Sequence, residues 1–392
     1  MEQRIKDIVK KHEAFCIDFR RELHMHPETS FQEFRTTKRI SEELTKHGIE
    51  HKVLEPTGVI AEIKGGKPGK TVALRADMDA LAMQDQKDVP YKSKEEGKMH
   101  SCGHDAHTAI LLTSAIALNE IKDELEGNVR FFFQPAEELV SGAPLLIKNG
   151  CMDGVSNVFG MHITPNLKTS VVGLLAGPMY AMPDGLKITF KGVGGHAAQP
   201  HVTKDAIVMA SQFICNVQTI VSRAMPPLEP AVVSFGKFNA GTRSNIIAHE
   251  AVLEGTARSF KPEYRALIEK TMRKYAENIA DMYGGSVEIE YNYGTPSVVN
   301  EERSIELLRE VITKNFGPEH AVKGDRTMGA EDFSCYLEHC NGCFVDLGTG
   351  NAAKNTDIVL HHGMFDVDED ALAFGAQVMC LYALAYLAQD EF

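Results

Sequence analysis

Met99-His100-Ser101-Cys102-Gly103-His104-Asp105-Ala106-His107-Thr108 sets three histidines, a cysteine and an aspartate within ten residues. Cys102 and His104 are two apart, so in a loop or extended segment both side chains point to one side, with Gly103 giving the backbone room to turn. A thiolate and an imidazole converging on one point form a metal-site pattern. The competing reading makes Asp105 the cap of a helix beginning in DAHTAILLTSAIAL, with the histidines as ordinary polar groups around it. If a metal binds here, the remaining ligands come from elsewhere in the chain, and the fold must bring them in.

Outward from this stretch, the segments alternate between strand and helix patterns. On its N-terminal side, residues 2 to 26 carry a helical pattern that stops before His26-Pro27. A second helix follows, with Ser30 and Glu33 in capping-box spacing, apolar positions to Leu44 and a closing Gly48. GVIAEIKG (58–65) and TVALRADM (71–78), joined by GKPGK, read as paired strands, the second ending in Asp77 and Asp79. On the C-terminal side, NVRFFFQ (128–134) is a short apolar run suited to a buried strand, and it delivers Glu137 and Glu138. SNVFGMHI (156–163) does the same for His162. Acidic and imidazole groups just past the carboxyl ends of several strands occupy the ligand position of an open α/β sheet. Taken singly, each has an ordinary alternative as a solvated carboxylate or a hydrogen-bonded core histidine.

Between residues 182 and 295 the order changes to β-α-β-β-α-β, a ferredoxin-like unit inserted into the first domain. The expected organisation is therefore an α/β catalytic domain with a mixed central sheet flanked by helices, contributed by residues 1–181 and 296–392, around an inserted α+β domain at 182–295. After residue 296 come a helix near 301–315, the stretch MGAEDFSCY, a strand GCFVDLG, His361 and His362, and a final helix from about Glu369, apolar on more than one face.

With 392 residues, two cores are expected. A net charge of −13, from 54 acidic and 41 basic residues with no basic block, argues against nucleic acid and anionic membranes as partners. The charged N-terminus lacks an apolar leader segment and no later run approaches a bilayer span, so a soluble, cytoplasmic protein is expected. Eight scattered cysteines fit reduced, buried thiols. The pair Cys340 and Cys343 has C-x-x-C spacing but lacks a second pair, and it reads as packing around a buried strand.

The candidate donors are Cys102, His104, Glu138, His162 and one of the late histidines. Five exceed what one zinc takes, and two ions a few ångströms apart, sharing a bridging ligand, use them all. Such a pair lowers the pKa of water and polarises a carbonyl, while a neighbouring carboxylate moves the proton to the leaving amine. Glu137, adjacent to a proposed ligand, suits that base role, and the reaction class is amide hydrolysis.

LRADMDAL, MHSCGHDAHTA, FFFQPAEE, GMHITP, GVGGHAAQPH, GTRSNIIAHEAVLEGTAR, MGAEDFS and LHHGMFDVDEDAL together resemble the aminoacylase and carboxypeptidase-type family of di-metal amidohydrolases, in the branch of indole-acetyl-amino-acid hydrolases, hippurate hydrolases and N-acetyl-amino-acid deacetylases. The resemblance spans essentially the whole chain, with Ala82 and Gly363 standing where the family has prolines. It implies metal ligands at Cys102, His104, Glu138, His162 and His361, with the cysteine replacing a bridging carboxylate. It also implies Glu137 as general base and Asp79 as a catalytic-site acid that orients its neighbours. Asp77 falls where other branches place a metal histidine. In the inserted domain, which resembles the family's lid and dimerisation domain, His196 matches a histidine near the substrate carbonyl, and Asn245 and Arg258 match positions for the substrate carboxylate. Local alternatives are a turn cap for His196 and a structural ion pair for Arg258. His107 and His201 read as packing or supporting residues.

The resulting expectation is an enzyme with two divalent ions per chain, manganese, zinc, cobalt or nickel, that cleaves N-acyl amino acids carrying an acetyl or aromatic acyl group and dimerises through the inserted domain. The alternatives are a di- or carboxypeptidase on the same scaffold, a non-catalytic binding protein, and a thiol hydrolase using Cys102 as nucleophile.

Overall fold

A computed structural model describes residues 1–389; the last three residues of the 296–392 segment lie outside the described residues. The N-terminal helical pattern forms two helices, α1 (Glu2–Lys11) and α2 (Glu13–Met25), divided at His12. The second stops ahead of Pro27, whose ring disfavours helical geometry at His26. Helix α3 (Phe34–Lys46) starts after Glu33, and the expected capping box does not form. Ser30 Oγ instead donates to Asp79, while Glu33 accepts from Thr57 and from the Ala136 amide. Both side chains are thus committed across the fold, and the carboxylate of Glu28 takes the amides of Arg35 and Thr36 at 2.9 and 2.8 Å.

Next come β1 (Glu50–Val53), β2 (Val59–Lys64), β3 (Lys67–Asp77), α4 (His104–Asn119) and β4 (Glu126–Gln134). The expected pairing of β2 with β3 is wrong: β4 lies between them, antiparallel to β2 and parallel to β3. Phe131, Phe132 and Phe133 supply the reason, since all three are fully buried and a strand apolar on both faces belongs in the sheet interior. The chain continues through α5 (Gly142–Lys148), β5 (Val155–Lys168), β6 (Val172–Leu174), β7 (Gly177–Tyr180), β8 (Met182–Lys191), β9 (Gly195–His196), α6 (Ala206–Thr219), β10 (Ala231–Ala240), β11 (Ile246–Ile247), β12 (Glu250–Ser259), α7 (Pro262–Met282), β13 (Ser286–Tyr293), β14 (Val298–Asn300), α8 (Glu302–Phe316), β15 (Ala321–Lys323), β16 (Asn341–Gly350) and α9 (Asp370–Leu387).

Two compact units result. The first, built from Met1–Met179, Val298–Arg326 and the chain from Asp332 onward, holds a mixed eight-stranded sheet in the order β1-β2-β4-β3-β5-β16-β6-β15. Its central strands β4, β3, β5 and β16 run parallel, so their carboxyl ends share one edge. The second unit, Tyr180–Ser297 with Thr327–Glu331, has the antiparallel order β10-β12-β8-β13 and the helices α6 and α7, which is the ferredoxin-like arrangement. Ile188, Phe190, Phe213, Leu253 and Met272 form its core.

Helix α9 amends one sequence expectation. By length and composition it is the one helix among the described residues able to cross a membrane, and 78% of it is buried. It packs against α1, α4, α8 and β3, so its apolar faces belong to the core of the first unit.

A polar cluster at the first turn of α4 joins residues far apart in sequence. Buried Arg20 donates to Asp105 and Asp366 at 2.8 Å each, His24 Nδ1 meets Asp105 at 2.7 Å, and Tyr91 donates to Asp366 at 2.8 Å. Burial opposes ionisation of Asp366, but Arg20 and Lys87 outweigh it and hold its carboxyl below the usual aspartate range. A lowered carboxyl pKa contributes stability that is fully present above the unfolded value, about 3.9, and is lost as pH falls towards the folded value. Asp366→Asn is therefore expected to destabilise the metal-free chain by about 1.5–3 kcal/mol near neutral pH, with the difference shrinking towards pH 3. Urea denaturation of both proteins across that range checks this, and a pH-independent difference would contradict it.

Candidate metal centre and active site

The shared carboxyl edge of β4, β3, β5 and β16 carries the site. The turn after β4 presents Glu137 and Glu138, the loop before α4 presents Cys102, α4 opens with His104, and the segment after β16 carries His361. His162 corrects its expected place: β5 runs on to Lys168, so this residue lies within the strand. It nevertheless reaches the edge, because β5 extends beyond its last pairing with β3, Gly160 opposite Arg75.

Donor atoms of Cys102, His104 and His162 lie within 4.8 Å of one another, and so do those of Cys102, Glu138 and His361. Cys102 belongs to both groups. Its Sγ is 3.3 Å from His162 Nε2, and Glu138 Oε1 is 3.5 Å from His361 Nε2 and 4.0 Å from His104 Nε2. Among the described residues, buried His104 Nε2 and Glu138 Oε1 have no hydrogen-bond partner, which a buried polar atom rarely tolerates without a ligand or water. One sulfur, three imidazoles and a carboxylate are a donor set that would fit two divalent ions, with Cys102 common to the two groups. His361 has φ +59°, and its amide donates to the Ser101 carbonyl at 2.9 Å, which pins it beside Cys102. His362 is used locally, accepting from the Met364 amide at 3.1 Å.

The surrounding residues fix these donors. His104 Nδ1 meets Asp79 Oδ1 at 3.1 Å, and His162 Nδ1 meets the Ile163 carbonyl at 2.6 Å, so in each ring Nε2 is left to face the centre. Asp79 also accepts from the amides of Glu137 and Glu138, both at 3.1 Å. One carboxylate thus orients His104 and the backbone of the glutamate pair. Asp77 binds His107 Nδ1 at 2.6 Å, and His107 Nε2 accepts from the Ile163 amide at 2.8 Å. With both ring nitrogens engaged, His107 is a support for β5.

Burial pushes the Cys102 thiol up to about 12 and His162 down to about 3. In the same cluster burial opposes protonation of His104, but the charges of Asp77 and Cys102 outweigh it and hold His104 well above the usual histidine range.

The remaining expected residues lie in the second unit. His196 pairs with Ile246 on the ribbon of β9 and β11, and Asn245 lies just before β11, where its carbonyl accepts the Ala197 amide at 3.1 Å. His196 Nδ1 accepts from the Ala198 amide at 3.0 Å, the turn cap anticipated as its local alternative. Arg258, half-buried on β12, donates to Thr256 Oγ1 and to the Ala257 carbonyl.

Several supporting residues were not anticipated. Arg75 donates to Asp77 at 2.7 Å, Asp332 at 3.1 Å and Gln134 at 2.9 Å, all buried. Asp332 in turn accepts the amides of Gly142 and Ala143, both at 3.0 Å, at the far end of the Glu137 loop. A charge inside the otherwise apolar run VALRA (72–76) was the available signal, because a buried arginine needs partners.

Residues 73–385 match the family model for peptidase family M20/M25/M40. N-acetylcysteine deacetylase of Bacillus subtilis is 42% identical over 95% of this chain and 96% of its own length. Thermostable carboxypeptidase 2 of Saccharolobus solfataricus is 39% identical over 98% of each. The crystal structure of the Bacillus subtilis YXEP protein, described as a dinuclear metal binding peptidase, is 38% identical with a TM-score of 0.86, covering 96% of this chain and 99% of that one. By the family match and by relatives that align along nearly its whole length, the chain belongs to peptidase family M20/M25/M40.

Proposed function

We propose that this chain hydrolyses the amide bond of N-acyl amino acids with a small or aromatic acyl group, using two divalent ions held by Cys102, His104, Glu138, His162 and His361. The observation that carries this reading is the sharing of Cys102 between two three-residue donor groups, with Glu137 close to His104 and Glu138. When bound, the ions supply Lewis-acid polarisation of the scissile carbonyl and acidify water. Glu137 takes the proton from the attacking water on a carboxylate oxygen and gives it to the departing amine nitrogen. Asp79 holds His104 in its ligating tautomer and keeps Glu137 and Glu138 in register. His196 donates to the carbonyl oxygen as it gains negative charge. Asn245 and Arg258 receive the substrate carboxylate, and the second unit forms a homodimer contact. A sulfur donor favours zinc, cobalt or nickel over magnesium, with manganese as a further candidate.

The test is amine release from N-acetyl and N-benzoyl amino acids and from dipeptides by chelated protein, before and after each ion is added back. Release should stop on chelation, return with metal and favour the N-acylated substrates. Activity that survives complete chelation would sink the metal reading. A preference for dipeptides would favour a carboxypeptidase, the reading supported by the similarity to thermostable carboxypeptidase 2.

A further inference from the structure

The Glu137 loop turns on backbone that side chains other than glycine resist. Ala136 and Val140 both have φ +52°, in the left-handed region where a Cβ crowds the following carbonyl. Such a conformation persists only when its surroundings over-determine it. At Ala136 the nearest determinant is Glu33, more than a hundred residues away in sequence and wholly buried. Its Oε1 accepts the Ala136 amide at 2.9 Å, and its Oε2 accepts from the buried Thr57 hydroxyl at 2.6 Å. The amides of Glu137 and Glu138 go to Asp79, so three consecutive N–H groups end on two carboxylates.

We propose that Glu33 is a positioning residue for the reaction, which holds Ala136 in its left-handed conformation and thereby aims the carboxylate of Glu137. This inference rests on the base role proposed for Glu137. The bond that matters is the one from the Ala136 amide to Oε1, and it needs an acceptor, not a charge. Burial raises the Glu33 carboxyl to about 7, and in either protonation state Oε1 still accepts from Ala136 while the other oxygen keeps Thr57 as a partner. Glutamine reproduces the protonated arrangement, with its carbonyl towards Ala136 and its amide towards Thr57.

Glu33→Leu is expected to lower kcat about 10- to 100-fold, with KM within about twofold and the metal content of the wild type, as for a misaligned reacting group. Glu33→Gln should stay within about threefold of wild type. In the leucine background, Ala136→Gly should recover part of kcat, because glycine adopts the left-handed conformation without strain. A readout independent of turnover is amide hydrogen exchange of a peptide spanning 132–142 in the metal-free chain. Exchange there should rise about tenfold or more in the leucine variant and remain unchanged in the glutamine variant. Glu33→Asp keeps a carboxylate but withdraws it by one methylene; it serves if leucine does not fold and should behave as leucine does. Wild-type kcat in a folded leucine or aspartate variant, or equal losses in glutamine and leucine, would overturn the proposal. If the exchange pattern holds while Glu137→Gln stays fully active, the loop anchor stands and the base assignment fails.

Discussion

Glu137→Gln is expected to lower kcat on the order of 10²- to 10⁴-fold, the range of general acid–base contributions, while KM and bound metal remain near wild type. The amide has nearly the shape of the carboxylate but cannot accept the proton of an attacking water. The expected separation of turnover from metal content follows from the loop. Adjacent glutamates have their amides tied to the same Asp79, yet only Glu138 lies in the group with Cys102 and His361. Steady-state kinetics and metal analysis on the same preparation decide the matter. Loss of metal with activity would make Glu137 a ligand, and retained turnover would remove it from proton transfer.

The second large effect concerns stability. Arg75→Met should destabilise the chain by about 3–5 kcal/mol, as expected when one partner of a buried ion pair is removed. The guanidinium is fully enclosed and faces two fully enclosed carboxylates, Asp77 and Asp332. Burial raises the Asp332 carboxyl, and Arg75 opposes that shift. Without Arg75, Asp332 binds a proton more readily in the folded state. The penalty should therefore be largest above neutral pH and shrink under acid, where the proton replaces the lost charge. At about 2–4 °C per kcal/mol for domains of 150–250 residues, the melting temperature should fall by roughly 6–20 °C. Calorimetry at two pH values tests both statements; a variant that melts with the wild type would show that the surroundings accommodate the two acids unaided.

The sequence was most informative where the chemistry is locally concentrated. Cys102 and His104 stand two apart, and the β-α-β-β-α-β order of the second unit follows from the change between two-residue and 3.6-residue periodicity. It misled where one local pattern serves two purposes. Ser30 and Glu33 have capping-box spacing, but the same side chains bind Asp79, Thr57 and Ala136 across the fold. Adjacent β2 and β3 resembled a hairpin, and only the fully apolar FFF run of β4 indicated that another strand belonged between them. The bond from Arg75 to Asp332 spans 257 residues, a separation at which no periodicity carries information.

That long reach bears on the order in which the protein becomes competent during synthesis. Cys102, His104, Glu138 and His162 are made well before His361 and the partners Asp332, Asp366 and Glu369. Until these emerge, Arg20 lacks two of its carboxylates and Arg75 lacks Asp332. A nascent chain ending before residue 332 therefore lacks His361 and the carboxylates of Asp332, Asp366 and Glu369 that face the two buried arginines. Both buried arginines gain their full set of partners only once residues 332–369 have been made and have packed against the earlier segments.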